Sequence, residues 1–185
     1  MRRTLALLSL LAAPLCAQRA IPSSNVVTGR LSYDGRATLG DFVGATDSVF
    51  GHLNGAAELS RVSGFVAARA ATLKTGNGHR DRDQYKSLEV DSFPEIRYEL
   101  DSMTVDAPKS DSSTVTLRGA FRIHGVRRAV DLPARIVLTP TGAQLRADTP
   151  LDLREYQIEG LSKFLGALKM NPNIVVHIEV KFAFP

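Results

Sequence analysis

Several features that mark common protein classes are scarce or missing in this sequence. Its 185 residues include one cysteine and no tryptophan, and only 6% are aromatic. A single cysteine excludes a disulfide framework and a zinc site made of several cysteines. A net charge of +4 is weak for a nucleic-acid-binding protein. No apolar run reaches the roughly 20 residues of a membrane-spanning helix. What is present, 44% hydrophobic and 23% charged residues, fits one globular domain.

The first 17 residues have the pattern of a secretory signal peptide. Arg2 and Arg3 give a positive start, an apolar run follows from Leu5 to Leu15, and Ala17 is a small residue where a signal peptidase can cut. We therefore predict a periplasmic or secreted protein whose domain spans residues 18–185. The only cysteine, Cys16, is removed with the signal. Either the general secretory or the twin-arginine route fits the two arginines.

Beyond the signal, apolar residues recur with period two, which indicates β-strands with one buried face. The clearest case is the C-terminal run, where Ile174, Val176, Ile178 and Val180 alternate with mostly polar residues. A shift of parity near Ser102 predicts a β-bulge. The other predicted strands cover residues 30–34, 47–53, 62–73, 96–105, 115–123, 126–138 and 145–151.

Two segments interrupt the strand pattern. Asp81 to Glu89 is polar and is predicted to form a short helix that ends before Phe93. Glu159 to Met170 carries apolar residues at helical spacing and is closed by an Asn-Pro pair. We predict a second helix there, either packed in the core or placed as a lid.

About eight strands with short turns indicate an all-β fold, either a sandwich or a closed antiparallel barrel. Runs of ten or more residues favour the barrel, because sandwich strands are usually shorter. The predicted fold is a single extended eight-stranded antiparallel barrel with one or two short helices. A barrel of this size can hold one small ligand.

Three segments together resemble the YceI-like family of exported, lipocalin-like polyisoprenoid-binding proteins. The first runs from Arg80 to Glu89 and is followed by Phe93-Pro94 and a strand. The second is the predicted hairpin from Leu117 to Leu132, with His124-Gly125 at its turn. The third is Leu153 to Ile158, before the last strand. The resemblance covers about residues 27 to 184.

The resemblance implies a lipocalin-like barrel that encloses a long amphiphilic lipid of the polyisoprenoid or quinone type. It implies a binding or transport protein without catalysis and with no cofactor other than the non-covalently bound lipid. Small residues on the inward face, among them Gly119, Ala134 and Ala147, are expected to leave interior space. We further expect no nucleic-acid partner and transient membrane contact. The oligomeric state stays open, a dimer included.

Inward parity and apolar character select most of the candidate ligand-binding residues, and Phe164 and Leu168 are taken from the apolar stripe of the predicted second helix. They are Leu31, Tyr33, Phe50, Tyr98, Leu117, Phe121, Ile136, Phe164, Leu168, Ile178 and Val180. Arg128 shares their parity and is a candidate for binding an anionic head group. The alternative for Arg128 is a side chain that extends to solvent at the barrel rim.

His79, Asp81 and Asp83 form the one cluster with the residue types of a metal or acid–base site. A solvated, self-compensating charge cluster at a helix start is the favoured explanation, and no metal site or catalytic residue is predicted. Three hypotheses therefore remain. The chain is a lipid carrier, a structural or stress-protective envelope protein with a filled barrel, or a hydrolase that uses this cluster.

Overall fold

The computed structural model of the protein describes residues 20–108, 112–158, 162–163 and 168–185. The predicted signal peptide lies outside this range. Among the described residues, no helix is long and apolar enough to cross a membrane. The strands and the α-helix, in chain order, are β1 (Ser24–Gly35), β2 (Phe42–Thr46), β3 (Val49–Asn54), β4 (Ser63–Arg69), α1 (Gly78–Ser87), β5 (Glu95–Pro108), β6 (Ser112–Ile123), β7 (Val126–Thr139), β8 (Gly142–Asp152), β9 (Ser162–Lys163), β10 (Leu168–Lys169) and β11 (Asn173–Ala183).

The strands close into an antiparallel barrel. The sheet order is β11-β8-β7-β6-β5-β4-β3-β1-β2, and a further pairing of β1 with β11 closes the ring. Both β2 and β3 run antiparallel to β1, β2 along its second half and β3 at its start. They therefore occupy one strand position, and the barrel has eight. The predicted eight-stranded fold is confirmed.

A β-bulge in β5 and a tight turn between β6 and β7 shape this part of the barrel wall. Register shifts in β5 between Leu100 and Ser102 confirm the predicted bulge and increase the curvature of the wall. The two-residue turn between β6 and β7 has positive φ at both His124 (50°) and Gly125 (75°). That is the backbone of a type I′ hairpin turn, whose twist matches the twist of the strands.

The predicted first helix is present as α1, which begins three residues earlier than expected. Its N-cap is Asn77, whose side chain accepts hydrogen bonds from the backbone N–H groups of His79 (3.0 Å) and Arg80 (3.1 Å). Three short 3-10 helices accompany it, at Leu59–Arg61, Ala70–Thr72 and Leu153–Tyr156.

The predicted second helix over residues 159–170 is wrong where the structure can be compared. Ser162–Lys163 and Leu168–Lys169 are extended and pair with each other as β9 and β10. The carbonyl oxygen of Lys169 accepts hydrogen bonds from the backbone N–H and the hydroxyl of Thr38, and the N–H of Lys169 donates to that hydroxyl. Gly160 and Gly166 lower the helix propensity of this segment despite its apolar spacing. Phe164 lies outside the described residues.

Candidate functional site

A cavity of about 350 Å³ opens at the end of the barrel that carries α1. Along the barrel wall, the lining extends only to a certain depth. In β1 it reaches Leu31, in β5 Ile96, in β6 Phe121, in β8 Leu151 and in β11 Val176. The next inward residues of β5 and β11, Tyr98 and Ile178, belong to the buried core and do not line the cavity. The cavity is thus a pocket in one half of the barrel, with a defined floor.

Two aromatic rings form the centre of that floor. Tyr98 and Phe121 meet edge to face, with ring centroids 5.0 Å apart. The hydroxyl of Tyr98 donates a hydrogen bond to the carbonyl oxygen of Leu117 at 3.0 Å, so its polar atom is satisfied inside the core. A Cβ added at Gly119 would lie 2.0 Å from the Glu99 carbonyl oxygen and 3.0 Å from the Tyr98 hydroxyl oxygen. The expected space at Gly119 is therefore filled.

Below the floor the barrel is closely packed. Val115, Leu117, Leu132 and Val180 are each at most 2% exposed. The far end is closed by buried side chains from the segment before β1, from β3 and from the residue before β4, namely Ile21, Leu53 and Val62.

The helix α1 covers part of the open end and is fixed to the barrel by polar contacts. The Asp81 carboxylate accepts hydrogen bonds from the backbone N–H (2.8 Å) and the hydroxyl (2.7 Å) of Thr75. The Tyr85 hydroxyl donates to the carbonyl oxygen of Leu73 at 2.7 Å. The side chain of Gln84 accepts a short hydrogen bond from the Tyr33 hydroxyl. Asp81, Gln84 and Tyr85 are spaced i, i+3 and i+4, so they lie on one side of α1. Their hydrogen bonds fix the orientation of the helix over the cavity.

Tyr33 links the helix to the barrel wall. Its ring lies directly over Gly44 of β2, where no side chain competes for the space, and meets Phe42 edge to face at 6.1 Å. Burial raises the pKa of the Tyr33 hydroxyl well above its ordinary range, so the group stays neutral and donates to Gln84.

The inner wall of the cavity is apolar, whereas its rim is polar and partly basic. The deeper lining consists of aliphatic and aromatic side chains, and the rim carries Asn77, His79, Arg80, Asp83 and Lys169. The Arg80 guanidinium stacks on the Phe42 ring, 4.0 Å from its centroid. A site with an apolar interior and a polar edge suits an amphiphile whose chain enters the barrel and whose polar group stays near solvent.

The structure places the predicted ligand-binding residues in different parts of the barrel. Leu31, Tyr33 and Phe121 line the cavity. A second group is buried in the core at or below the floor, and it consists of Tyr98, Leu117, Ile136, Ile178 and Val180. The structure describes the backbone of Leu168 in β10, while the side chain of Leu168 and the whole of Phe164 lie outside its description.

Two predicted positions do not face the cavity. Phe50 pairs with Ala67, which pairs with Arg97, on the face opposite to Tyr98. There it contacts Phe65 edge to face at 6.4 Å. The prediction that Phe50 faces inward is therefore corrected, because the weakly patterned β3 gave no clear parity.

Arg128 has the predicted inward parity, since it pairs with Phe121. Its side chain is nevertheless exposed, and its Nε donates to the carbonyl oxygen of Glu155 at 2.7 Å. Arg128 thus fastens the Leu153–Tyr156 turn to the barrel rim and does not line the cavity.

The cluster of His79, Asp81 and Asp83 does not converge on one point. Asp81 is buried and bound to Thr75, whereas His79 and Asp83 line the cavity rim. The Nδ1 atom of His79 lies 2.8 Å from an Arg82 guanidinium nitrogen. Within the described ranges, no group of three or more histidine, cysteine, aspartate or glutamate side chains is arranged to hold a metal ion.

Sequence reasoning also missed part of the lining. Ile123, Leu151, Ile174 and Val176 had the correct predicted parity, and only their depth in the barrel was unknown. Others come from the short strand β2, a 3-10 helix and irregular segments, which period-two patterns did not identify, among them Phe42, Leu73, Leu153, Ile158 and Met170.

Comparison with known proteins identifies the family. The model of the YceI-like domain matches residues 23–182. The chain belongs to the YceI-like family. The match covers nearly the whole barrel, from the residue before β1 to the penultimate residue of β11. It confirms the resemblance seen in the sequence. No curated protein matches the chain.

Solved structures of YceI-like proteins share the fold at low sequence identity. A polyisoprenoid-binding domain from Saccharophagus degradans, implicated in plant cell wall breakdown, is 13% identical with a TM-score of 0.73, and the alignment covers 89% of this chain and 99% of that one. BcnA from Burkholderia cenocepacia is 11% identical with a TM-score of 0.66, covering 83% and 95%. The YCEI protein of Campylobacter jejuni is 14% identical with a TM-score of 0.53, covering 66% and 72%.

Proposed function

We propose that this YceI-like protein binds a long amphiphilic lipid of the polyisoprenoid or quinone type in the cavity above Tyr98 and Phe121, and carries it without catalysis. The observation that supports this most is the apolar cavity with a polar rim. A volume of about 350 Å³ falls within the range of small-molecule sites. Burying hydrocarbon there gains roughly 0.8 kcal/mol per methylene.

The other two hypotheses find less support in the geometry. A structural protein with a filled barrel requires no continuous cavity, and half of this barrel is hollow. A hydrolase built on His79, Asp81 and Asp83 requires convergent groups, yet Asp81 is turned away from the cavity toward Thr75. A non-catalytic binding role is also in keeping with the polyisoprenoid-binding domain from Saccharophagus degradans.

Extraction of the purified protein, followed by mass spectrometry, tests the proposal directly. We expect a co-purifying prenyl lipid and, after its removal, binding of a fluorescent prenyl probe in vesicle-free buffer. Absence of both would reject the proposal.

A pair of adjacent substitutions makes the test site-specific. Ile174 lines the cavity, whereas its neighbour Val175 points outward. Ile174→Glu should lower probe affinity by at least about a hundredfold, since it places a charge in the apolar wall. Val175→Glu should leave affinity unchanged. Circular dichroism spectra must first show that both variants are folded, and equal affinities would contradict the proposed site.

We also propose that the protein is exported and acts in the periplasm or outside the cell, on the strength of residues 1–17. N-terminal sequencing of the protein recovered from the cell exterior should begin at Gln18. A protein that keeps Met1 in the cytoplasm would refute this.

A further inference from the structure

A leucine at the entrance of the cavity is almost fully exposed to solvent. Leu39 lies in the turn between β1 and β2, which we call the lip (residues 36–41), and 81% of its surface is accessible. It lines the cavity as well. Single exposed apolar side chains are common on protein surfaces, so Leu39 is informative only through its position at the cavity entrance and through the residues around it.

The lip is a fixed turn. The backbone N–H of Thr38 donates to the carbonyl oxygen of Lys169 at 3.0 Å, and the N–H of Lys169 donates back to the Thr38 hydroxyl at 3.1 Å. The N–H of Asn171 donates to the carbonyl oxygen of Arg36 at 2.8 Å. Gly40, at φ 111°, closes the turn through its N–H to Ala37. Leu39 is thus held outward by its backbone.

Two further exposed valines lie on the same end of the barrel. Val43 of β2 and Val175 of β11 both pair with Asp34 of β1, so they form one row across three strands below the lip. They are 54% and 37% exposed. Of the large apolar side chains that stand exposed in the described part of the chain, the remaining one is Val27, near the opposite end.

Basic side chains surround this apolar group. Arg36 in the lip and Lys169 in β10 are exposed, as are Arg82 and Lys86 on α1. Asp34, Asp41 and the rim residue Asp83 offset part of this positive charge, whereas Asp81 is buried against Thr75. A protruding leucine flanked by cations is complementary to an anionic bilayer, whose surface attracts Lys and Arg and whose hydrocarbon accepts the apolar side chain.

We propose that the lip docks the open end of the barrel onto an anionic lipid membrane, with Leu39 inserted and Arg36 and Lys169 on the head groups. In this orientation the cavity opens toward the bilayer, so a lipid can pass between the two without crossing water. This step rests on the proposed lipid-binding function, because docking serves to load or unload the cavity.

Flotation of the purified protein with phosphatidylglycerol vesicles, and separately with phosphatidylcholine vesicles, tests the docking. Leu39→Ser should lower partitioning onto phosphatidylglycerol about tenfold, in keeping with removal of one inserted leucine. Val27→Ser, an equally polar change at the other end, should leave it unchanged. Arg36→Ala and Lys169→Ala should each lower it about fivefold on phosphatidylglycerol alone. Equal binding of the Leu39 and Val27 variants would overturn the proposal.

A vesicle-free prenyl-probe assay separates this proposal from the previous one. If docking is correct, Arg36→Ala, which lies outside the cavity lining, retains probe affinity in solution and slows probe transfer from phosphatidylglycerol vesicles. Loss of probe binding in the unmodified protein, with Leu39-dependent flotation intact, would reject the carrier function and leave the docking surface standing. Vesicle transfer at an unchanged rate in Arg36→Ala would reject docking while the carrier function stands.

Discussion

The two halves of the barrel are built from the same kinds of side chain, yet one is packed and the other is hollow. Strand β11 runs through both. Its residues Ile174, Val176, Ile178 and Val180 all belong to the buried apolar cluster, but of these four only Ile174 and Val176 also line the cavity. The difference therefore does not come from the wall. It comes from what closes each end.

The packed end is closed by apolar side chains, whereas α1 at the other end offers polar ones. Ile21, Leu53 and Val62 fill the packed end. The residues that α1 directs at the cavity include Asn77, Arg80 and Gln84, which cannot enter an apolar space without losing hydration. A polar helix over an apolar barrel end thus leaves the cavity between them open.

The largest predicted difference comes from equal truncations in the two halves. Leu132→Ala, in the packed half, should lower the free energy of unfolding of the lipid-free protein by about 3–5 kcal/mol, since the surroundings cannot collapse into the new void. Leu151→Ala, beside the existing cavity, should cost about half as much. Urea unfolding measures both. Equal losses would mean that the cavity closes in solution.

Enlarging two valines on the same face of β11 should separate stability from binding. Val180 is 1% exposed, so Val180→Phe should cost about 1–3 kcal/mol of unfolding free energy through overpacking. Val176→Phe extends into the cavity and should leave stability nearly unchanged while it blocks the prenyl probe. If Val176→Phe binds the probe normally, the cavity is not the binding site.

Removal of the Tyr98 hydroxyl tests whether Tyr98 and Phe121 form the floor of the binding site. Tyr98→Phe removes the hydrogen bond to the Leu117 carbonyl and should lower the free energy of unfolding by about 1 kcal/mol. Probe affinity should stay the same, because the Phe121 ring that faces the cavity is retained. A large change in affinity would show that the ligand extends below the floor.

The smallest predicted effect is a pH dependence on the outer wall near the open end. His177 lies between Asp148 (2.5 Å) and Asp34 (3.2 Å), and these bonds raise its pKa above the usual 6.5. The protonated ring therefore stabilises the fold fully below pH 6.5, and this contribution is lost as the pH rises through the raised pKa.

We expect His177→Gln to reduce the free energy of unfolding more at pH 5.5 than at pH 8.5. The difference should be below about 1 kcal/mol, because the pair is partly exposed to solvent. A greater loss at pH 8.5 would contradict the assigned direction.

Period-two patterning predicted most of the fold and the inward face of most strands. It located the bulge at Ser102 and the turn at His124, because these disturb or end an alternating pattern. It failed over residues 159–170, where apolar spacing outweighed the glycines, and at Phe50, where the strand is short. An alternating pattern does not indicate how deep in the barrel an inward residue lies. Val176 and Val180 are identical in type and parity, and only the side chains that close each end distinguish their environments.

The pairing of β1 with β11 also has a consequence for the timing of loading. Strands β1 and β11 meet along most of their length, so the wall is incomplete until β11 has paired with β1. Ile174 and Val176, which line the cavity, belong to that strand. Under the proposed function, a ligand cannot be enclosed before this pairing forms, and it therefore enters through the open end of the folded barrel.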